Sequence, residues 1–275
     1  MSDTSWLHRL IAEKELSRAE LRAGRVLADQ PDIVVNLTIT ELAELAHVGE
    51  ATISRLCRKL GFSSYHALKI AIATRLATPT QPRTAATRAS PRRAAASQAW
   101  VLIEETARLI DQATLDRAVE VLAQARRTDI YGVGSSGLSA QDARARFAYL
   151  GLNCNAPTDH HFQKMAVASL EAGDALLIIS ANGSTRELIP LAKSARHAGT
   201  TVIVLTGAAR SPLGKLADIL LPTGRMQGHP VGNLMVKMTQ LFAIELLASA
   251  LAERLGPRAS RIESAIQESL SDSVY

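Results

Sequence analysis

Two glycine- and hydroxyl-rich segments contain the residue types that bind phosphate. Residues 132–137 read GVGSSG and residues 180–185 read SANGST. Each follows a short apolar run typical of a strand and precedes a segment typical of a helix. The free N–H groups and the dipole of a helix N-terminus favour an anion, and glycine lets the backbone approach it closely. The predicted phosphate ligands are Gly134, Ser135, Ser136, Ser180, Asn182, Gly183, Ser184 and Thr185.

The first segment also matches the G-x-G-x-x-G pattern of dinucleotide sites. Such a site needs an acidic residue at the end of the second strand to hold the ribose. Here the predicted second strand, residues 153–156, is followed by Pro157 and Thr158, and Asp159 comes only after them. The sequence therefore favours a phosphate site over a dinucleotide site. Ordinary tight turns of an α/β fold remain the structural alternative.

Residues 38–62 carry a second kind of chemistry. They predict two short helices around a turn at 47–49, the first opened by the capping-box pair Thr38 and Glu41. The second helix spans about residues 50–60 and should end at Gly61, which is well placed as a helix C-terminal cap. Its predicted buried stripe consists of Ile53, Leu56, Cys57 and Leu60.

The opposite face of this second helix has small, hydroxyl and cationic side chains, which suit the DNA major groove. Arginine can form a forked contact with guanine, threonine can contact a base or phosphate, and lysine can pair with phosphate. A solvated helical hairpin is the alternative. The predicted DNA-binding residues are Thr38, Ala51, Thr52, Ser54, Arg55, Arg58 and Lys59.

The charge distribution supports a polyanionic partner. The 275-residue chain has a net charge of +5, and residues 1–98 alone hold 14 Lys or Arg against 9 Asp or Glu. Between Ala51 and Ile103 the sequence contains no acidic residue. A basic N-terminal third indicates binding to nucleic acid, although a basic linker kept soluble by its charge would give the same count.

Composition indicates a globular protein with two domains, since 47% of the residues are hydrophobic and 21% are charged. The two cysteines suggest neither a disulfide framework nor a metal site. The N-terminal residues lack a signal-peptide pattern, and Lys237 and Glu245 interrupt the most apolar segment, residues 234–252. We therefore expect a cytoplasmic protein with no membrane span, no metal and no cofactor.

Four regions follow from the pattern along the chain. Residues 1–77 predict an all-α domain, and residues 78–98, with three prolines and several arginines, predict a flexible basic linker. Residues 99–255 alternate between helix and strand, which predicts an α/β domain with a parallel sheet flanked by helices. Residues 256–275 predict a tail or a short last helix. The predicted strands are 129–133, 153–156, 175–180, 201–206 and 219–222, and the predicted helices include 101–125, 138–150, 160–170, 185–198 and 234–255.

The two halves together resemble a known family. Residues 38–69, which include the segment RKLGF, resemble the helix-turn-helix of RpiR-type bacterial regulators, and residues 126–255 resemble the sugar isomerase (SIS) domain that those regulators carry. The resemblance implies a transcription factor, often a repressor, controlled by a phosphosugar or sugar acid phosphate. It also implies a homodimer or homotetramer formed through the SIS domains and bound to an inverted-repeat DNA operator.

The resemblance also assigns individual residues. The family's G-x-G-x-S falls on Gly132, Gly134 and Ser136, and its S-x-S-G-x-T falls on Ser180, Asn182, Gly183 and Thr185, with Asn182 replacing a serine. His47 stands where the family favours glycine, and Gly49 stands where a capping serine is common. Many SIS proteins have a glutamate after the last strand, whereas this chain has no acid between Asp218 and Glu245.

A phosphosugar isomerase is the alternative with the same fold. Aldose–ketose isomerisation needs a general base, and the missing carboxylate removes the most natural one. Glu187 is expected to serve the dipole of its helix, which leaves His160, His161 and His229 as conceivable acid or base groups. We expect no enzymatic activity. A sugar-phosphate sensor that does not bind DNA is a third possibility, which the basic N-terminal third disfavours.

Overall fold

The computed structural model describes residues 5–35, 37–77, 91–225 and 234–271 and divides them into two compact units. The first unit extends to Ala94, and the second begins at Ala95. Each unit has hydrophobic core clusters of its own. The predicted fold classes, an all-α unit followed by an α/β unit, are therefore both present.

The helical unit consists of short helices whose ends follow local signals. The Thr38 side chain accepts a hydrogen bond from the N–H of Glu41, and the Glu41 side chain accepts one from the N–H of Thr38, so the predicted capping box is confirmed. Ser17 and Glu20 form a second capping box at the start of α2. The sequence analysis missed one short helix that begins at Pro31, although proline is favoured at a first helical position. The helices are α1 (Ser5–Ala12), α2 (Arg18–Asp29), α3 (Pro31–Val34), α4 (Ile39–Leu45), α5 (Glu50–Lys59) and α6 (Tyr65–Ala77).

The apolar stripe of α5 packs into the core of this unit. Ile53, Leu56 and Cys57 are fully buried and Leu60 is nearly so, as the spacing predicts. Burial of each large apolar side chain contributes roughly 1.5–3 kcal/mol relative to an exposed one. Beyond α5, the N–H of Phe62 donates to the carbonyl of Cys57 at 2.9 Å, which forms the helix-ending motif expected around Gly61. The core thus holds α5 with its opposite face outward.

The α/β unit has a five-stranded parallel sheet with the strand order β2-β1-β3-β4-β5. Its strands are β1 (Thr128–Tyr131), β2 (Cys154–Asn155), β3 (Ala175–Ile179), β4 (Thr201–Thr206) and β5 (Ile219–Pro222). Its helices are α7 (Pro91–Leu109), whose first four residues belong to the first unit, α8 (Gln112–Gln124), α9 (Ser135–Tyr149), α10 (His160–Val167), α11 (Leu188–His197), α12 (Leu234–Leu255) and α13 (Pro257–Ser271).

Both faces of the sheet are buried, as expected for parallel strands joined by helices. Leu177 and Ile179 of β3 face a core cluster that includes α8, α9 and α12, whereas Leu176 and Ile178 face a cluster that includes α10 and α11. The length and composition of α12 would allow it to cross a membrane. Its residues Ala243, Ile244, Leu247 and Leu251 are nevertheless buried in the first cluster, so α12 is a core helix here.

Two predictions on boundaries need correction, and the structure makes a third, the last short helix, specific. The predicted single helix 101–125 is wrong, because α7 ends at Leu109 and Asp111 caps α8 by accepting a hydrogen bond from the N–H of Thr114. Of the predicted linker, residues 91–98 already belong to α7, and residues 78–90 lie outside the described residues. The C-terminal segment forms α13, whose Ile262 lies so close to Gly151 that a Cβ there would come within 2.2 Å of it.

Candidate functional site

The two predicted phosphate segments lie side by side at the carboxyl edge of the sheet. The chain runs from β1 to β2 on one side and then returns to β3 on the other side of β1. Because Tyr131 pairs with Ile178, the loops that follow β1 and β3 leave neighbouring strands at the same level. Open α/β sheets bind their ligands in the crevice that such a reversal of strand order creates.

The first loop packs tightly against the start of α9. A Cβ on Gly132 would lie 2.4 Å from the carbonyl oxygen of Ser136, so this position accepts only glycine. Gly134 and Ser135 are exposed, whereas Ser136 is only 8% exposed. The loop therefore presents the N-terminus of a 15-residue helix to solvent at the point where an anion would bind.

Ser136 is anchored from a distant helix. Its Oγ accepts a hydrogen bond from Nε2 of Gln240 on α12 at 3.0 Å, and Oε1 of Gln240 accepts one from Ser139 at 2.9 Å. The hydroxyl proton of Ser136 is still available to a ligand. Gln240 could not be selected from the sequence, because its separation of 104 positions from Ser136 leaves no local signal.

The second loop is closed by its own polar groups. Ser180 is 2% exposed, and its Oγ lies 2.9 Å from Oγ1 of Thr185 and accepts a hydrogen bond from the N–H of Gly183 at 3.1 Å. The Asn182 side chain accepts a hydrogen bond from the N–H of Ser184 at 3.1 Å. Ser180 and Thr185 thus converge on one point, and the amide of Asn182 supports the turn between them.

The helix after this loop begins later than predicted. The predicted helix 185–198 is α11, which starts at Leu188, because the carbonyl of Thr185 first accepts a turn-type bond from Leu188 at 3.1 Å. Thr185 therefore lies in the loop and not in the helix. Glu187 occupies the N-cap position and not the first turn, although its carboxylate is still at the favourable end of the dipole.

Side chains at the end of β4 and just beyond it pack against the second loop. A Cβ on Gly183, whose φ is +61°, would lie 1.9 Å from Oγ of Ser211 and 3.1 Å from Oγ1 of Thr206. The side chain of Arg225, after β5, lies against Gly207 and brings a guanidinium-bearing chain to the same edge. The sequence analysis did not select these three side chains, since only the sheet order brings them together. Among the described residues, no group of three His, Cys, Asp or Glu is placed to hold a metal ion.

The predicted DNA-reading face of α5 is largely exposed. Ala51, Arg55 and Arg58 are exposed, and Ser54 is half-buried. Thr52 differs from the expectation: it is 8% exposed, and its Oγ1 accepts a hydrogen bond from the guanidinium of Arg55 at 3.4 Å. A position at the margin of the apolar stripe explains this, because 100° of rotation from Ala51 turns Thr52 towards the core.

Lys59 also differs from the expectation of a free ammonium group. Its Nζ lies 2.8 Å from Oε2 of Glu20, which is 3% exposed, and donates to the carbonyl of Glu15 at 3.1 Å. The Lys59 ammonium and the backbone N–H of Ser17 both favour the carboxylate and lower the pKa of Glu20 to about 2. Lys59 therefore ties α5 to α2.

The turn between α4 and α5 brings further residues to this face. Thr38 is 4% exposed, and its hydroxyl oxygen already accepts a hydrogen bond from the N–H of Glu41. Only its hydroxyl proton could therefore contact DNA. His47 has φ of +51°, which confirms that this turn position is left-handed. The guanidinium of Arg22 on α2 lies 3.4 Å from the carbonyl of His47, a cationic neighbour of the turn that the sequence analysis did not select.

Comparison with known proteins identifies the family. A family model for the SIS domain matches residues 121–250, and one for the helix-turn-helix domain of the rpiR family matches residues 10–79. The HTH-type transcriptional regulator HexR of Pseudomonas aeruginosa is 33% identical over 265 residues, 92% of each chain. The chain belongs to the RpiR family of transcriptional regulators. An HTH-type transcriptional regulator of Haemophilus influenzae is 32% identical over 250 residues of this RpiR-family chain, 87% of each protein.

A solved structure covers both units of this RpiR-family regulator. The Vibrio vulnificus NanR protein, complexed with ManNAc-6P, matches with a TM-score of 0.86 and 25% identity over 98% of each chain. The likeness extends to the helical region and to the parallel sheet flanked by helices.

Proposed function

We propose that this RpiR-family chain is a sugar-phosphate-responsive repressor of carbohydrate metabolism genes. Its α/β unit binds the phosphate of a sugar or sugar acid, and its helical unit binds an inverted-repeat operator in the cytoplasm as a homodimer or homotetramer. The observation that carries this function is the adjacency of the two phosphate-type loops at the reversal of strand order, in a chain of a regulator family. NanR, solved in complex with a sugar phosphate, supports the ligand class.

The loops suit a phosphate group because they offer donors and no carboxylate. The backbone N–H groups at Gly134 and Ser135 open α9, and the hydroxyls of Ser180 and Thr185 converge 2.9 Å apart in the neighbouring loop. The Ser136 hydroxyl, held by Gln240, adds a donor in the first turn of α9. These donors are positioned before the ligand arrives, which reduces the ordering cost of binding.

The DNA half rests on Arg55 and Arg58, the exposed cations on the outward face of α5. Arg55 is close enough to Thr52 for a hydrogen bond, which orients its fork for a guanine edge in the major groove. In a symmetric dimer, two such helices would read half-sites about 34 Å apart, one turn of DNA. Effector binding changes operator affinity by favouring one population of conformations over another.

Isomerase activity is the weaker alternative. It needs a base beside the carbonyl carbon, and residues 132–137 and 180–185 contain no carboxylate; Glu187 follows the second loop at the exposed start of α11. We expect no conversion of aldose to ketose phosphate in an NMR time course with glucose 6-phosphate.

One set of operator-binding measurements tests the proposal. Binding of the full chain to its own upstream DNA is measured with and without a panel of sugar phosphates. Arg55→Ala should weaken specific binding by about 1–3 kcal/mol, whereas Arg261→Ala, on the exposed face of α13, should not. Ser180→Ala combined with Thr185→Ala should abolish the effector response and keep DNA binding, and Ser194→Ala on α11 is the matched control. A normal response in the double variant would remove the phosphate assignment.

A further inference from the structure

Helix α10 carries two buried polar atoms that have no hydrogen-bond partner within the described part of the chain. They are Nδ1 of His160 and Oε1 of Gln163. The two residues are three positions apart, so they share one face of the helix. Gln163 is 1% exposed. Buried side-chain polar atoms are nearly always hydrogen-bonded in native proteins, because an unpaired one keeps its full desolvation penalty. Both atoms therefore call for a partner.

Gln163 fixes the position of this face beside the first phosphate loop. Its Nε2 donates to the carbonyl of Gly132 at 3.1 Å and to the carbonyl of Pro157 at 2.9 Å. Gly132 follows β1 and Pro157 follows β2, so the amide spans the carboxyl ends of two neighbouring strands. With both protons of Nε2 in use, Oε1 is held next to the first loop and can only accept a hydrogen bond.

His160 is held in place by the start of the same helix. Asp159 caps α10 by accepting hydrogen bonds from the N–H groups of His161 at 2.8 Å and Phe162 at 3.3 Å. His160 is half-buried, whereas His161 is exposed. The two adjacent histidines thus differ in surroundings, since His160 alone has a buried ring nitrogen without a partner.

We propose that His160 and Gln163 bind hydroxyl groups of the carbohydrate part of the effector. A hydroxyl donates to Oε1 of Gln163, and a hydroxyl either donates to or accepts from Nδ1 of His160, according to the tautomer of the ring. The dianionic phosphate ester group of a sugar phosphate has no proton to donate, so within that ligand only a carbohydrate hydroxyl can satisfy Oε1. The ligand class is therefore a polyhydroxylated phosphate ester. This inference rests on the proposed function, and it adds the group that separates a sugar phosphate from inorganic phosphate.

The chemistry of this pair predicts discrimination as well as affinity. A site built to hydrogen-bond a hydroxyl rejects a ligand without it, because its own buried polar atoms are then left unpaired. Loss of one such contact corresponds to an affinity change of about 10-fold or more. The same pair should contribute little to the binding of inorganic phosphate, which is held by the two loops and has no carbohydrate hydroxyl to reach the pair.

The test compares three sugar phosphates with inorganic phosphate on the full chain by calorimetry. The probes are glucose 6-phosphate, 6-phosphogluconate and ManNAc-6P. The unmodified chain should bind at least one of them more tightly than inorganic phosphate. His160→Phe should lose about 10-fold or more of that affinity and keep its phosphate affinity. His160→Asn, which restores a hydrogen-bonding atom, should recover part of the loss, and His161→Phe on the exposed neighbour should bind normally.

Each other outcome has a definite meaning. Sugar phosphates that bind His160→Phe and the unmodified chain equally well would overturn the inference, as ordered water would then be the partner of both atoms. An unmodified chain that binds all three sugar phosphates no more tightly than inorganic phosphate would overturn it too, while leaving the phosphate loops intact. If neither sugar phosphates nor inorganic phosphate bind, the proposed effector function fails as well.

Discussion

The residue at the centre of the helix-turn-helix turn is under local strain. His47 holds φ of +51°, a left-handed conformation that costs a residue with a Cβ roughly 1–2 kcal/mol. His47→Gly should therefore raise the free energy of unfolding of the helical unit by about 0.5–1 kcal/mol, after the greater freedom of glycine in the unfolded chain is subtracted. Urea unfolding followed by Trp6 fluorescence, in a Trp100→Phe background, measures it. His47→Ala is the control, and an equal gain there would exclude relief of backbone strain.

The pair formed by Lys59 and Glu20 makes stability depend on pH. The pKa of Glu20 is lowered to about 2, so its contribution is complete above its ordinary pKa and disappears as the pH falls through about 2. Lys59→Met should lower the free energy of unfolding at pH 7 by about 1–3 kcal/mol, because Glu20 remains buried without its cation. The deficit should shrink between about pH 5 and 2, where the unmodified chain loses the pair too. Unfolding followed by circular dichroism at a series of pH values measures this deficit, and Arg58→Met, which removes an exposed cation from the same helix, is the control. A deficit that did not change with pH would contradict the prediction.

Sequence reasoning succeeded at residues whose partners are a few positions away. The capping box at Thr38 and the helix end at Gly61 depend on neighbours three to five residues distant, so the pattern alone predicts them. It failed for Lys59, whose partner Glu20 is 39 residues away on another helix. A helical wheel assigns a side chain to one face of its helix, but it does not show which residue of another helix packs against that face.

The loop at residues 180–185 requires glycine at position 183, where Ser211 and Thr206 lie close to the backbone. Gly183→Ala would bring a methyl group within 1.9 Å of Ser211 in a left-handed conformation, so we expect a loss of about 2–5 kcal/mol in unfolding free energy. Gly173→Ala is the matched control, because Gly173 has φ of +89° but no atom within 4 Å of its Cβ position. It should lose only about 1–2 kcal/mol. Equal losses in thermal unfolding would show that strain alone, and not the contact with Ser211, requires glycine at 183.

Element boundaries were predictable where burial and pattern agree. The bounds of β4, β5 and α12 match the predictions, because each is a continuous apolar segment with clear flanks. The break between α7 and α8 was missed, since Asp111 interrupts an otherwise helical composition with a side-chain cap. The late start of α11 was missed for the same kind of reason, a turn at Thr185 that keeps a helix-like sequence out of the helix.

At the scale of the whole chain, the two units should respond to different ligands. Each has its own core, so a ligand that binds one native unit should raise the unfolding temperature of that unit. In a Trp100→Phe variant, Trp6 reports the helical unit alone. Operator DNA should raise the transition seen by Trp6, and a sugar phosphate should raise the transition of the α/β unit seen by circular dichroism. A sugar phosphate that shifted only the Trp6 transition would contradict the assignment of sites to units.

The order of the domains and their fold classes could be predicted, because alternating helix and strand signals follow a helical segment along the chain. The strand order could not. Nothing local to β1, β2 or β3 shows that β1 separates the other two, yet this order places Gly134 and Ser180 on adjacent loops. The same is true of Gln163 and Gln240, which reach the first loop from distant helices.

The opposite edge of the sheet carries a different set of residues. There Asp174 is bound by the guanidinium of Arg126, and Asp129 is bound by Arg127 and by the hydroxyl of Tyr131. The pair of Arg126 and Asp174 joins the amino ends of β1 and β3, away from the loops, whereas the contacts of Asp129 lie within the β1 segment. Mutations that retarget the regulator to another metabolite can thus accumulate at one rim while the opposite rim keeps the scaffold folded, which gives new specificities a route that does not first erode stability.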